Sequence, residues 1–395
     1  MFRSFRIGSI GGIPIKLDVT FLLILPIFAY IIALQIEDLV GLLNTTFAIA
    51  IDTGAMTTGW MPWMLGSIAA LGLFACVLFH ELGHSGAALR YGFPISAITL
   101  WLLGGIAQLS EQPTDWREEL TIAIAGPFVS VALGIGLWLA MYPIPSGMDA
   151  LLFVVGYLSL MNLVLAGFNM LPGFPMDGGR VLRAMLARNR SFAVATQQAV
   201  NVGKAFAVAL AVFGLFATNF ILIAVALFIY LAAGSEARNA ALRHAFEGIR
   251  VEDAMTPLAD LSRIGPEMRV DDLAQQMYAD RSTGYPVIAD TGVIGIVVLD
   301  DIRDCHPGER QTTQVRDVMR RDLAVVEVGD DAFRAIEALQ GADTDRVLVT
   351  DEADRVVGMI SNSDLAHAVE IRSVESIGDR RQLRDMATKD RYPRW

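Results

Sequence analysis

Residues 80–84 read His-Glu-Leu-Gly-His, a spacing that could bind a metal ion. On an α-helix, side chains four positions apart lie on the same face, so the imidazoles of His80 and His84 can both contact one zinc ion. Glu81 is adjacent and can act as a general base toward a water molecule at that metal. The pattern therefore predicts zinc-dependent hydrolysis with two ligands and a base on one helix.

The surroundings of this motif are apolar. The chain has 395 residues, of which 54% are hydrophobic, and the motif lies near the end of an apolar run from Trp63 to Phe79. A run of this length and composition is typical of a membrane-spanning helix. Three polar side chains in such a helix are costly, so the sequence favours a functional role for them.

A catalytic zinc site needs three protein ligands and one open position. Asp177 is the strongest candidate for the third ligand, since it follows a predicted span in a segment rich in proline and glycine. Taken alone it would be interpreted as a turn residue. Three other acidic residues lie near the same membrane surface but are interpreted as residues at the start of a helix. They are Asp115, Glu118 and Glu119.

The cysteines and remaining histidines offer few alternatives. Cys76 lies one turn before His80 and is an alternative ligand, but a buried apolar role is commoner for cysteine. Cys76 and Cys305 are far apart in sequence, which does not support a disulfide framework. The other histidines lie in the C-terminal part and are expected to be ordinary surface residues: His244, His306 and His367.

The apolar segments predict six transmembrane helices. They are expected at 20–34, 63–89, 120–141, 150–170 and, as two helices with a break at 218–219, from about 193 to 234, with a loop at 39–62. Residues 91–110 are apolar but interrupted by glycine and proline, which predicts a membrane-associated β-hairpin. Such a hairpin is tolerated at membrane depth only where protein or a cavity shields it.

The charges divide the chain into two parts. Residues 1–240 carry 11 basic and 12 acidic residues, whereas residues 241–395 carry 20 and 30. The acidic C-terminal part argues against a nucleic-acid partner. In the first part, the segments 36–62, 142–149 and 217–220 contain no lysine or arginine. The positive-inside rule therefore places both termini in the cytoplasm, and the metal motif and Asp177 at the cytoplasmic ends of two parallel spans.

The C-terminal part contains an internal repeat. Val251–Met255 recurs as Val315–Met319, and Gly295–Asp301 recurs as Gly358–Asp364. A repeat of this length predicts two copies of one α/β unit stacked together. The predicted organisation is a membrane domain at 1–240, repeat copies at 249–305 and 312–371, and a charged, poorly ordered tail at 372–395.

Two motifs together resemble the site-2 protease family of intramembrane zinc metalloproteases. They are His80-Glu81-x-x-His84 and Asn169-x-x-Pro172-x-x-Pro175-x-Asp177-Gly178-Gly179, and the resemblance covers about residues 1–240. It implies that zinc is bound by His80, His84 and Asp177, and that Glu81 activates water. The substrate it implies is a transmembrane segment of another protein within the lipid bilayer.

The same resemblance implies two further roles. Asn169 is similar to the asparagine that helps position the substrate or its developing oxyanion in this family. The hairpin at 91–110, with Gly104 and Gly105, resembles the membrane-embedded β element whose edge pairs with an unwound substrate.

The repeat resembles a tandem pair of cystathionine β-synthase (CBS) domains, which often bind adenine nucleotides. The second copy keeps a pattern similar to the family's G-x-[ST]-x-x-D, so Ser361 could contact phosphate and Asp364 the ribose. In the first copy Val298 replaces the hydroxyl residue, although Asp301 remains. A dimerising module without a ligand is the alternative. In either case the resemblance implies a homodimer.

Three functions are consistent with these features. The leading one is an intramembrane zinc protease, with nucleotide control through the CBS pair. The second is a membrane transporter regulated by the CBS pair, but transporters commonly show membrane repeats, and none is evident in this sequence. The third is a catalytically inactive scaffold of the same family, against which the intact set His80, Glu81, His84 and Asp177 argues.

Overall fold

The computed structural model of the protein describes residues 4–101, 104–109, 113, 115–290, 292–321, 323–342 and 344–372. The predicted tail at 372–395 lies, from residue 373 onward, outside the described residues. The chain forms two compact units, Met1–Ala240 and Ala241–Trp395.

The first unit is mainly helical, with four short strands. Its elements, the last of which extends into the second unit, are β1 (Ser4–Ile10), β2 (Ile13–Asp18), α1 (Val19–Leu34), α2 (Ile36–Phe47), α3 (Met61–Arg90), β3 (Ile95–Trp101), β4 (Gly104–Leu109), α4 (Trp116–Met141), α5 (Asp149–Asn169), α6 (Asp177–Ala187), α7 (Phe192–Phe216) and α8 (Phe220–Phe246).

Within the described parts of the chain, five helices are long and apolar enough to cross a membrane: α3, α4, α5, α7 and α8. The pair α1 and α2 gives a sixth span if it is counted as one broken helix, with a bend of 72° between its halves. The predicted break at 218–219 falls between α7 and α8.

Helix α2 occupies the first part of the segment expected as a loop. Glu37 and Asp38 lie in its first turn, where the helix N-terminus stabilises negative charge. Ile36, Val40 and Leu43 recur at helical spacing and are buried in the largest apolar cluster of this unit. The acidic pair therefore starts a second helix, and the interpretation of residues 39–62 as a loop was wrong for its first part.

The hairpin predicted at 91–110 is present as β3 and β4, which pair antiparallel. They belong to a four-stranded sheet in the order β1-β2-β3-β4, in which β2 runs parallel to β3. Ile15 and Ile98 of this sheet are buried against Leu78 and Leu82 of α3. The sheet is thus shielded on one face by α3, and among the described residues β1 and β4 are its two edge strands.

Glycines let the central helices approach closely. A Cβ added at Gly83 of α3 would lie 2.8 Å from the carbonyl oxygen of Ala125 in α4. A Cβ added at Gly134 of α4 would lie 2.8 Å from a methyl group of Leu163 in α5. Small residues at such contacts allow tight helix packing in membranes, where the hydrophobic effect does not drive association.

The second unit is α/β. Its elements are α9 (Val251–Ala254), β5 (Thr256–Pro257), α10 (Val270–Asp280), β6 (Gly284–Ala289), β7 (Gly292–Val298), α11 (Leu299–Asp304), α12 (Val315–Val318), β8 (Val325–Glu327), α13 (Ala332–Gly341), β9 (Arg346–Thr350) and β10 (Val356–Ser361). They form one sheet in the order β5-β10-β9-β8 and a second from β6 and β7.

The first segment of each repeat copy pairs with a strand of the other copy. β5 of the first copy pairs with β10 of the second, and Arg320 of the second copy pairs with β7 of the first. A Cβ added at Gly358 would lie 2.9 Å from the sulfur of Met255, and one added at Gly295 would lie 2.8 Å from that of Met319. The repeated motifs thus pack against each other across the pair. The predicted fold class, a helical membrane domain with an α/β CBS module, is confirmed.

Candidate metal centre

His80 and His84 lie on one buried face of α3, with their Nε2 atoms 3.1 Å apart. The third member of the group is Asp177, the first residue of α6. Its Oδ2 atom lies 3.2 Å from Nε2 of His80 and 3.1 Å from Nε2 of His84. The fold therefore brings Asp177, 97 positions after His80, close enough for all three side chains to bind one metal ion.

This group fits zinc. Bonds of about 2.0–2.2 Å in a tetrahedral arrangement place neighbouring ligand atoms about 3.3–3.5 Å apart, close to the separations of these three atoms. Two imidazoles and one carboxylate form a donor set typical of catalytic zinc, which keeps a fourth position open. Among the residues that the structure describes, no other three His, Cys, Asp or Glu side chains bring ligand atoms this close together.

Asp177 is placed by the two glycines that follow it. A Cβ at Gly178 would lie 2.5 Å from the carbonyl oxygen of Met170, and one at Gly179 would lie 2.7 Å from the backbone of Phe174. Only residues without side chains let α6 begin this close to the loop after α5. As a metal ligand, Asp177 would act in its ionised, carboxylate form.

Helix α4 holds the second nitrogen of each imidazole. Nδ1 of His84 donates to the carbonyl oxygen of Ile122 at 2.7 Å, which leaves Nε2 with a free lone pair. Nδ1 of His80 lies 2.9 Å from Oγ of the fully buried Ser130. Gly126, between these two positions, lies so close to the His84 ring that an added Cβ would collide with it. Such partners fix the orientation of metal ligands.

Glu81 lies next to β4, one of the two edge strands of the sheet. Its side chain is half-buried, and a Cβ added at Gly105 of β4 would lie 3.1 Å from its Oε1 atom. Gly104 has a φ of +134°, a backbone conformation that favours glycine. β4 therefore passes directly beside the carboxyl group predicted to be the base, and a larger residue at 105 would displace it.

The structure also places the remaining candidates. Asn169 is the last residue of α5, and its amide donates to the carbonyl oxygen of Leu165 at 3.1 Å. Cys76 is buried one turn from His80 but is not part of the three-residue group. The other acidic candidates lie at the start of α4. Its N-cap is Asp115, and its first turn contains Glu118 and Glu119. The histidines of the second unit are exposed: His244, His306 and His367.

Comparisons with known proteins identify the family of the chain. The profile of Peptidase family M50 matches residues 68–150 and 145–212, and the CBS domain profile matches residues 251–307 and 315–371. A zinc metalloprotease of Methanocaldococcus jannaschii is 35% identical over 375 residues, which cover 94% of this chain and 97% of the relative. This chain belongs to the site-2 protease family, peptidase family M50.

A second curated relative and a solved structure are also similar to this chain. A Mycobacterium tuberculosis protein named as zinc metalloprotease Rip3 is 30% identical over 391 residues, with 94% of each chain covered. Among solved structures, the site-2 protease from Methanocaldococcus jannaschii is 37% identical, with a TM-score of 0.40, and covers 60% of this chain and 95% of its own. The alignments with the Methanocaldococcus jannaschii and Mycobacterium tuberculosis relatives each cover 94% of this site-2 protease. They therefore include both its membrane unit and its CBS pair.

The two CBS copies of this site-2 protease differ at the motif predicted to bind a nucleotide. In the second copy, Ser361 is buried, and its Oγ donates to Asp364 at 2.6 Å. In the first copy, Asp301 accepts the backbone N–H of Val298 at 2.9 Å and pairs with Nε of Arg320 at 2.7 Å. The carboxylate of the first copy is therefore already held by an arginine.

Proposed function

We propose that this site-2 protease is an intramembrane zinc endopeptidase that hydrolyses a peptide bond in or near a transmembrane segment of another membrane protein. The observation that carries the proposal is the group formed by His80, His84 and Asp177. Both histidines and the adjacent Glu81 lie on α3, a helix long and apolar enough to cross a membrane. His80, His84 and Asp177 would hold the zinc ion.

The reaction assigns a distinct task to each side chain. Zinc, when bound, polarises the scissile carbonyl group and lowers the pKa of water. Glu81 accepts a proton from the attacking water and passes it to the leaving amine. Meanwhile Ser130 and the carbonyl group of Ile122 keep His80 and His84 in their orientation.

The substrate would bind as an added strand. A peptide bond in a transmembrane helix is shielded and hydrogen-bonded, so the helix must unwind before water can attack. An extended segment that pairs with β4 would recover its lost backbone hydrogen bonds. Because Gly105 of β4 lies against Glu81, such a segment would pass next to the base. Asn169 is proposed to orient the substrate from the end of α5.

We further propose that both termini and the CBS pair lie in the cytoplasm. The distribution of lysine and arginine supports this orientation. In it, the metal centre lies toward the cytoplasmic end of α3, where Arg90 ends the helix. Water would then reach the site from the cytoplasm.

Purified full-length protein in detergent is expected to cleave a peptide that contains a transmembrane segment. The chelator 1,10-phenanthroline should abolish cleavage and added zinc should restore it, whereas the non-chelating isomer 1,7-phenanthroline should have no effect. Mass spectrometry of the products locates the bond. Absence of cleavage for several transmembrane sequences, or cleavage that resists chelation, would argue for a transporter or scaffold instead.

We also propose that the CBS pair binds one adenine nucleotide per chain, at Ser361 and Asp364, and controls cleavage. Asp364 accepts hydrogen bonds from two neutral hydroxyl groups, those of Ser361 and Thr256. The equivalent carboxylate of the first copy, Asp301, pairs instead with the charged Arg320. The family resemblance of the pair further supports a homodimer formed through it.

Substitution Ser361→Val copies the residue that the first copy carries at this position, Val298. We expect it to weaken ATP binding, measured by isothermal titration calorimetry, by about 10-fold, because a hydrogen bond to a charged phosphate is lost. The matched variant Val298→Ser should leave both affinity and stoichiometry unchanged. Two nucleotides per wild-type chain, or unchanged binding by the Ser361→Val variant, would contradict the assignment.

A further inference from the structure

A buried arginine joins the helix of Asp177 to the helix that orients the two histidines. Arg183 lies six positions after Asp177 on α6 and is only 4% exposed. Its Nε and Nη2 atoms lie 2.7 Å and 2.5 Å from Oε1 of Glu119, in the first turn of α4. Glu119 is equally buried, so this is an ion pair within the membrane unit.

Helix α4 is thereby connected to all three potential metal ligands. It contacts His84 through the carbonyl group of Ile122 and His80 through Ser130. Through Glu119 it contacts the helix that begins with Asp177. A shift of α6 relative to α4 would therefore move the carboxylate of Asp177 relative to both imidazoles.

Arg183 also contacts the chain on the other side of Asp177. Its guanidinium group lies over the ring of Phe174, 5.0 Å from the ring centre, in the loop that precedes Asp177. A third contact joins Nη1 of Arg183 to Oε1 of Glu236 in α8 at 2.6 Å. The loop before Asp177 and the helix after it are thus both fixed to one side chain.

The ion pair is better suited to orientation than to stability. Both nitrogen atoms of Arg183 share Oε1 of Glu119, and among the described residues the buried Oε2 atom has no hydrogen-bond partner. Burying two charges is costly, and apolar residues of similar volume are often as stabilising. The planar guanidinium fork, however, restricts geometry in a way that apolar packing does not.

We propose that Arg183 is a positioning residue that sets Oδ2 of Asp177 at the correct distance from Nε2 of His80 and His84. This inference rests on the proposed zinc function. It predicts that the affinity for zinc depends on Arg183, although its side chain is not part of the three-residue metal group.

The test compares zinc affinity in full-length variants purified in detergent, by competition with a chromophoric chelator. Arg183→Lys retains the charge but loses the fork. Because Arg183 acts on Asp177 through the helix and not by direct contact, zinc is expected to bind about 10-fold more weakly, the lower limit for direct partners of metal ligands. Its zinc-free melting temperature should match that of the wild type, and kcat should fall with KM unchanged. Glu236→Gln should have a smaller effect, because that carboxylate is 31% exposed.

The matched control is Arg190→Gln, which removes an exposed arginine just after α6 and should leave zinc affinity unchanged. Equal zinc affinity in Arg183→Lys and wild type would overturn the inference and leave the proposed function intact. Weaker zinc binding accompanied by a lower zinc-free melting temperature would also overturn it, because the residue would then be merely structural. A wild-type chain that binds no zinc would overturn the proposed function and this inference with it.

Discussion

Replacement of Glu81 by Gln is expected to abolish cleavage while the protein retains one zinc ion per chain. The amide has nearly the same size, so it fits beside Gly105, but it cannot accept a proton from water at neutral pH. Proton transfer by a positioned base contributes about 10²–10⁴-fold to a rate, and kcat should fall by at least the lower value.

Zinc content by mass spectrometry and single-turnover cleavage of a transmembrane peptide provide the two measurements. The matched control is Glu37→Gln, which makes the same chemical change at an exposed glutamate in the first turn of α2. Near-normal turnover by the Glu81→Gln variant would contradict the assignment of the base. Loss of zinc in the same variant would instead show that Glu81 is needed for metal binding.

The parts of the site that follow local rules could be predicted from the sequence. The spacing of His80 and His84 fixes them on one helical face without any tertiary information. Asp177 could be inferred only by combining the metal requirement with the positions of two spans, since its local sequence resembles an ordinary turn. The CBS pair was predictable because its repeat extends over about 120 residues.

The contacts that orient the ligands could not be predicted in this way. Ser130 and the carbonyl group of Ile122 reach the imidazoles only because of the rotation of α4 against α3. Glu119 was interpreted as a helix-start residue, and it does lie in the first turn of α4. No local pattern shows that it also pairs with Arg183, 64 positions later. Such pairings depend on how whole helices pack, which side-chain spacing within one helix does not determine.

Substitution Asp177→Asn is expected to remove both zinc and cleavage. The amide keeps the shape of the side chain, so the close packing of Gly178 and Gly179 is preserved, but a neutral oxygen is a much weaker zinc ligand than a carboxylate. Loss of a direct ligand should weaken zinc binding by more than the 10–100-fold typical of outer partners, to roughly 10²-fold or beyond. Chelator competition and the cleavage assay measure the two effects.

The matched control for this variant is Asp149→Asn, because Asp149 and Asp177 are both the first residues of their helices. Both substitutions remove a negative charge that favours a helix N-terminus, so any effect of that charge on stability should be similar in the two. Only Asp177→Asn should lose zinc. Retained zinc in that variant would require a different third ligand. Asp177→Asn is expected to lose zinc, whereas Glu81→Gln is expected to retain it. The two variants together therefore distinguish a metal ligand from a general base within the same site.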